Sequence, residues 1–203
     1  KHQALSNKGV ALVNLGRYEE AIAAYDAAIA IQPDDHEALY GRGAALGNLG
    51  RHEEAIAAFD AAIAIKPDDH EALYNKGIAL WNLGRYKEAI AAFDAAIAIK
   101  PDYHEALYSK GLVLVNLGRY EEAIAAYDAV ITVQPDNHKA FYNKACAYAL
   151  RGAVEPALEN LKHAIHLSPE KYREMAKTNT SFDLIRTDER FQTLIQRDGG
   201  VGE

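Results

Sequence analysis

The chain has 203 residues, of which 49% are hydrophobic and 25% are charged. This balance is typical of a folded globular protein and excludes a largely disordered or fibrous one. A charged residue recurs in every helix-length window, so no stretch reaches the roughly 18 uncharged apolar residues of a membrane span. With no secretory core and one cysteine, Cys146, the sequence favours a cytoplasmic protein that does not bind a membrane.

The negative charge lies in the first two thirds of the chain. Residues 1–137 hold 12 Lys/Arg against 20 Asp/Glu, whereas residues 138–203 hold 10 against 9, and together these give the net charge of −7. A long acidic surface repels phosphate backbones, which argues against nucleic acid as a partner. We expect a neutral-to-basic protein or peptide partner.

The sequence repeats every 34 residues. Prolines at 33, 67, 101, 135 and 169 have this spacing, and so do glycines at 16, 50, 84, 118 and 152. The period predicts five repeats, which are residues 2–35, 36–69, 70–103, 104–137 and 138–171. A different segment follows the fifth repeat.

The residues around the third repeat show where the helices of each repeat begin and end. Asp68 followed three residues later by Glu71 resembles a capping box, which predicts the start of a first helix. Gly84 supplies a residue for the left-handed turn that ends this helix. The second helix is predicted over residues 86–100, because Pro101 prevents its continuation.

Apolar residues on these helices predict how the hairpins pack. In the second helix, Ala89, Phe93 and Ile97 share one face with Ile90 and Ala96. The first helix offers a matching face of Leu73, Gly77 and Leu80. One hairpin cannot bury all this surface, so neighbouring hairpins must stack into a right-handed solenoid.

These features together resemble the tetratricopeptide repeat, in a bacterial-type array of five units. The resemblance is carried by the 34-residue hairpin, the prolines and three rows of residues. The rows are Gly9/Gly43/Gly77/Gly111, Ala21/Ala55/Ala89/Ala123/Ala157 and Tyr25/Phe59/Phe93/Tyr127. It implies an all-α, right-handed superhelical solenoid that binds a protein or peptide in its concave groove. From the residues themselves we expect no enzymatic activity and no cofactor.

Residues 172–198 leave the period and are predicted to form helices that cap the last repeat. Their apolar residues stand at helical spacings, and they are Phe182, Leu184, Ile185, Phe191, Leu194 and Ile195. Stacked repeats end in an apolar face that must be covered for solubility. Residues 199–203 are expected to be a disordered or added tail.

The first helices carry a second apolar and polar stripe that the hairpin core does not need. By the resemblance, this stripe lines the concave groove, where aromatic rings and carboxamides contact a peptide. The predicted groove residues are Tyr40, Gly47, Asn48, Tyr74, Asn75, Ile78, Trp81, Asn82, Tyr108, Leu112, Val115, Asn116, Tyr142 and Asn143. The alternative is that the tyrosines pack between adjacent repeats and the asparagines bond loops.

The second repeat has three glycines in its first helix, at positions 41, 43 and 47. Each glycine destabilises the helix by about 1 kcal/mol relative to Ala, so each calls for a structural or functional explanation. Either the glycines open a pit for a ligand side chain, or Trp81 of the next repeat folds over them. Filling by Trp81 is the preferred interpretation.

The positive charge near the end of the chain suggests one further contact. Lys139, Arg173 and Lys177 fall in rows that would form a basic patch able to hold an anionic group. This resembles half of the carboxylate clamp of chaperone-binding tetratricopeptide domains. Tyr108 and Leu112 stand where that clamp would have Lys and Asn.

No catalytic or metal-binding pattern stands out. His163 and His166 have helical spacing but lack an evident third ligand, and Cys146 lacks an activating partner. The predicted function is therefore a protein–protein interaction scaffold. Two alternatives stay open, a module that assembles with other copies of itself and a regulatory or sensor domain of a larger enzyme.

Overall fold

The computed structural model describes residues 1–196, and the tail expected at 199–203 lies outside them. Helices account for the fold, and no strand occurs between residues 1 and 196, which confirms the all-α prediction. The first helices of the repeats are α1 His2–Asn14, α3 His36–Asn48, α5 His70–Asn82, α7 His104–Asn116 and α9 His138–Leu150. The second helices are α2 Tyr18–Ile31, α4 His52–Ile65, α6 Tyr86–Ile99, α8 Tyr120–Val133 and α10 Val154–Leu167.

Local residues set the helix ends. Gly84 has a φ of 74°, and the equivalent glycines have φ between 71° and 77°, as the turn at the end of each first helix requires. Asp69 caps α5, because its carboxylate accepts hydrogen bonds from the backbone N–H groups of Glu71 and Ala72 at 3.0 Å. The predicted capping box is therefore wrong by one residue, since Asp69 and not Asp68 is the cap.

The chain divides into two compact units, Lys1–Ala106 and the part that begins at Leu107. In the first unit, α1 packs on α2, α3 on α4 and α5 on α6. Each hairpin is closed by an aromatic ring of the second helix against a glycine of the first. A Cβ on Gly77 would lie 2.6 Å from the ring of Phe93, which is fully buried, so only glycine fits there.

Charged side chains cross between neighbouring hairpins of the first unit. Arg42 of α3 binds Asp26 of α2 at 2.6 Å, and Lys76 of α5 pairs with Asp60 of α4 in the same way. Arg42 has a relative exposure of 27%, as expected for a basic row whose stems lie on the core while the charged heads reach water.

The segment predicted to cap the last repeat is helical. Helix α11 covers Pro169–Thr178, a 3-10 helix covers Thr180–Ile185 and α12 covers Glu189–Ile195. The cap begins earlier than predicted, because Pro169 starts a helix as its first residue. Phe182 and Phe191 are fully buried, whereas Leu184 is 70% exposed and does not belong to the predicted apolar set.

Candidate binding surface

In the first unit the first helices lie side by side, since α1 contacts α3 and α3 contacts α5. We call the surface they form the first-helix face. The predicted groove residues of this unit all lie on α3 and α5. Most are half-buried, and the asparagines Asn48 and Asn82 at the helix ends are exposed.

Tyrosines of the face join adjacent repeats. Asn75 donates a hydrogen bond to the hydroxyl of Tyr40 at 3.0 Å, and the Tyr40 ring packs on Phe59 with centroids 5.9 Å apart. The second unit repeats the arrangement, with Asn143 donating to the hydroxyl of Tyr108 at 2.6 Å. These contacts favour the alternative role of the tyrosines, packing between adjacent repeats, although both rings keep an accessible part.

A cavity of about 550 Å³ opens on the first-helix face, and we call it the Tyr40 cavity. It is lined by Val10, Val13, Tyr25, His36, Glu37, Tyr40, Gly41, Ala44, Lys66, Asp69, His70 and Glu71. Its walls combine apolar side chains with three carboxylates and one lysine. This composition suits a ligand that has both an apolar part and a positive charge.

Tyr103 packs against His70, a residue of the cavity wall. Its ring lies edge-on to His70 at 5.0 Å between centroids and contacts Tyr74 at 5.3 Å. The ammonium of Lys100 lies 5.0 Å from the same ring centroid. Burial, assisted by the negative charge of Glu105, raises the pKa of the Tyr103 hydroxyl.

Sequence reasoning missed Tyr103 as a candidate. The signal was present, because Tyr103 stands where the two preceding repeats have Asp35 and Asp69. Both aspartates cap the next helix and bind a histidine one repeat earlier, and a tyrosine cannot replace a carboxylate in those contacts. The next repeat has Asn137 at this position, which again caps its helix, so the tyrosine departs from the capping residues on both sides.

The three glycines of α3 have three different environments. A Cβ on Gly41 would collide with the ring of Tyr25, and one on Gly43 would lie 2.8 Å from the ring of Phe59. A Cβ on Gly47 would have no neighbour within 4 Å. The preferred interpretation, that Trp81 fills the space over these glycines, is therefore wrong.

Beside Gly47 lies a second cavity of about 230 Å³, which we call the Gly47 cavity. It is lined by Ala44, Gly47, Asn48, His52, Phe59, Asn75, Ile78, Ala79 and Asn82. Trp81 is not part of its wall and is half-buried elsewhere on α5. The alternative interpretation, in which the glycines open a pit, fits the cavity beside Gly47.

The predicted groove residues of the second unit differ in solvent exposure. Leu112 and Val115 are half-buried and Asn116 is exposed. Tyr142 is only 3% exposed, because its ring stacks on Tyr172 with centroids 4.7 Å apart. The cap therefore removes Tyr142 from the predicted groove surface.

Two of the three residues of the predicted basic patch, Arg173 and Lys177, lie in a surface of mixed charge, whereas Lys139 lies on α9. Arg173 and Lys177 line a shallow cavity of about 370 Å³ together with Glu170 and Glu174. The ammonium of Lys177 lies 2.7 Å from the Glu174 carboxylate, and Arg173 donates to the backbone oxygen of Leu194 at 3.4 Å. Because the acids alternate with the bases along α11, the surface does not form the positive patch that a carboxylate would need.

The remaining candidates have structural surroundings. Cys146 is buried, which raises the pKa of its thiol to about 12, so the reactive thiolate is scarce at neutral pH. His163 stacks on Phe141 with centroids 5.1 Å apart. Within residues 1–196, no three His, Cys, Asp or Glu side chains are grouped as metal ligands, and no helix is long and apolar enough to cross a membrane.

The repeats have counterparts among known proteins. Two sequence profiles described as Tetratricopeptide repeat match the chain, one over residues 6–70 and 48–104 and the other over residues 80–145. No curated protein sequence matches the chain.

Several solved structures share the fold. MamA has a TM-score of 0.77 at 28% identity, over 80% of this chain and 95% of that one. YrrB, described as a TPR protein with an unusual peptide-binding site, has a TM-score of 0.75 at 28% identity, over 86% of this chain and 91% of that one. A tetratricopeptide repeat protein from Parabacteroides merdae ATCC 43184 shares the fold alone, with a TM-score of 0.81 at 20% identity over 95% of this chain and 77% of that one.

The two profiles together span residues 6–145, and the helical hairpins recur every 34 residues through that range. The chain belongs to the tetratricopeptide repeat family.

Proposed function

We propose that the chain is a protein-interaction scaffold whose first-helix face binds an extended segment of a neutral-to-basic protein partner. The Tyr40 cavity is the observation that carries this proposal. Its volume of about 550 Å³ suits one or two side chains of a bound segment. The role is binding and not catalysis, in keeping with the scaffold function of the family.

The apolar part of the cavity supports binding. Val10 is 52% exposed, although it lies on the same helix as the buried Leu12. Val13, Ala44 and the accessible part of the Tyr40 ring continue this surface. Apolar area that the fold leaves in contact with water is available for a partner to bury.

The charge of the surface supports the class of partner. Glu37, Asp69 and Glu71 line the cavity against a single lysine, Lys66. Residues 1–106 as a whole hold 10 Lys/Arg and 16 Asp/Glu, a net charge of −6. Such a field attracts a segment that carries Lys or Arg and repels an acidic one.

The similarity to YrrB supports the proposal that the ligand is a peptide segment. That protein is described as having an unusual peptide-binding site and shares 28% identity with this chain. A peptide that lies along α1, α3 and α5 would meet the Tyr40 cavity and then the Gly47 cavity.

The test is selection of random displayed peptides on the immobilised chain, followed by calorimetry with the enriched peptide. We expect basic peptides with aromatic or aliphatic residues. Replacing Val10→Lys should weaken the peptide at least about tenfold, because the lysine places a like charge at the cavity wall. Ile65→Lys is the matched control, since Ile65 is 43% exposed on the second helix α4 and its change adds the same charge.

Equal losses from Val10→Lys and Ile65→Lys would contradict binding at the first-helix face. Enrichment of acidic peptides would contradict the proposed class of partner. Circular dichroism must show the same helix content in both variants, so that a loss of affinity reports on the surface.

A further inference from the structure

Two unusual residues of the second repeat meet at one place. Gly47 and His52 both line the Gly47 cavity, although they belong to different helices, α3 and α4. The other repeats carry different residues at both positions. These are Val13, Trp81, Val115 and Ala149 for Gly47, and Tyr18, Tyr86, Tyr120 and Val154 for His52.

Neither residue is required by the fold. Gly47 has no positive φ, and a Cβ there would meet open space, so neither the backbone nor packing demands a glycine. His52 has a buried Nδ1 atom with no hydrogen-bond partner among residues 1–196. An unpaired buried nitrogen weakens a fold, and so does a glycine within a helix. Two residues that each lower the stability of the fold line the same cavity. Such a combination is typical of a binding site.

Three asparagines determine the chemistry of the cavity. The side-chain nitrogens of Asn48, Asn75 and Asn82 donate to backbone carbonyls four residues earlier on their own helices, at 2.8, 2.9 and 3.0 Å. Since those carbonyls can only accept, the orientation of each carboxamide is determined. Asn75 uses both of its N–H groups, since it also donates to the Tyr40 hydroxyl, whereas Asn48 and Asn82 keep one N–H each. Each of the three side chains also has an Oδ1 atom that can accept a hydrogen bond.

The wall also has an apolar side. Ile78, Ala79 and Phe59 also line the cavity, and no Lys or Arg is among its described lining residues. An aliphatic stem can lie on this side while a polar tip reaches the acceptors. The net charge of −6 for residues 1–106 adds a field that favours a positive tip.

We propose that the Gly47 cavity takes the side chain of an arginine from the bound partner, an inference that rests on the proposed function of the first-helix face. The guanidinium of arginine is planar, permanently charged and carries several N–H donors. It stands at the end of an aliphatic stem. The asparagine oxygens and the imidazole accept from these N–H groups, and Ile78 contacts the stem. A carboxylate cannot bond to the Oδ1 acceptors, and the net negative charge of residues 1–106 repels it, so the cavity disfavours it. A lysine has a compact ammonium and fills fewer of the acceptor positions.

The experiment uses the whole chain and a small probe, N-acetyl-arginine N-methylamide. Side-chain amide signals of Asn48 and Asn82 and the imidazole signals of His52 are followed by NMR during titration at constant ionic strength. We expect saturable shifts at these three residues. The analogous lysine and glutamine probes should need at least about threefold higher concentrations, and the glutamate probe should leave the signals unchanged.

Two variants borrow residues that other repeats already hold at the same positions. Gly47→Val fills the cavity and should abolish the saturable response, and His52→Tyr should weaken it at least about threefold. Ala57→Val also places a valine in the chain, at an exposed position of α4, and should leave the response intact. All three keep the charge of the acidic surface, so they separate the cavity from general attraction of a cation.

A saturable response to arginine that survives Gly47→Val would overturn the proposal. So would equal responses to arginine and glutamate, equal responses to arginine and lysine, or no response to arginine. The probe acts without any peptide on the first-helix face. Failure of the Val10→Lys test with a positive arginine test therefore contradicts the proposed peptide surface and leaves the cavity assignment in place.

Discussion

Asn75 of α5 donates a hydrogen bond to the hydroxyl of Tyr40 of α3 at 3.0 Å, which couples the third repeat to the second. The same carboxamide nitrogen lies 2.9 Å from the backbone oxygen of Glu71, so one side chain serves both its own helix and its neighbour. Asn143 and Tyr108 repeat this pairing in the second unit. Within each unit, neighbouring repeats are thus joined by specific polar contacts as well as by apolar packing.

This coupling can be measured by a double-mutant cycle. Tyr40→Phe keeps the ring on Phe59 and removes the hydroxyl, and Asn75→Ala removes the donor. We expect the two changes to be non-additive by about 1 kcal/mol in the free energy of unfolding, the usual worth of a partly buried hydrogen bond. Urea unfolding of the four proteins gives the coupling energy. Strict additivity would show that the bond does not stabilise the stack.

The glycines of α3 predict opposite changes in stability. Gly47→Ala should raise the free energy of unfolding by about 1 kcal/mol, because alanine favours a helix and its Cβ meets no neighbour within 4 Å. Gly43→Ala should lower it by about 1–3 kcal/mol, since its Cβ would lie 2.8 Å from the Phe59 ring. Urea unfolding measures both. A gain at position 43 or a loss at position 47 would contradict the packing described for α3.

The cap offers a matched pair within its 3-10 helix. Phe182→Ala should cost about 3–5 kcal/mol, because the ring is fully buried against Tyr142 and Phe191. Leu184→Ala, two residues later and 70% exposed, should change the free energy of unfolding by less than about 0.5 kcal/mol. Thermal unfolding of the two variants, followed with a probe in the second unit, measures the two changes in stability. Similar effects of the two changes would argue against the cap.

Cys146 should be almost unreactive in the folded protein. Burial raises the pKa of its thiol from 9.0 to about 12, so the thiolate fraction at pH 8 falls about a thousandfold. The rate of alkylation by iodoacetamide, compared between native protein and protein unfolded in urea, measures the protection. Equal rates would mean that the helices around Cys146 open faster than the reagent reacts.

The sequence alone predicted the paired helices of the repeats and most of their ends, because the signals for them are local. Gly84 ends α5 since a positive φ excludes most other residues, and Pro101 follows α6 since it lacks the N–H that a helix needs. The cap of α5 was assigned to Asp68 and lies at Asp69. Two adjacent aspartates offer the same chemistry, and only the backbone geometry selects between them.

Only the tertiary structure decided which residues of the predicted groove are accessible. Tyr142 is covered by Tyr172, and Gly47 stays open although Trp81 was available to fill the space. Tyr40, Tyr74, Tyr108 and Tyr142 occupy one row of the repeat, yet their surroundings differ. Each is completed by residues about 34 positions away, as Asn75 completes Tyr40, and such neighbours meet only when the repeats stack.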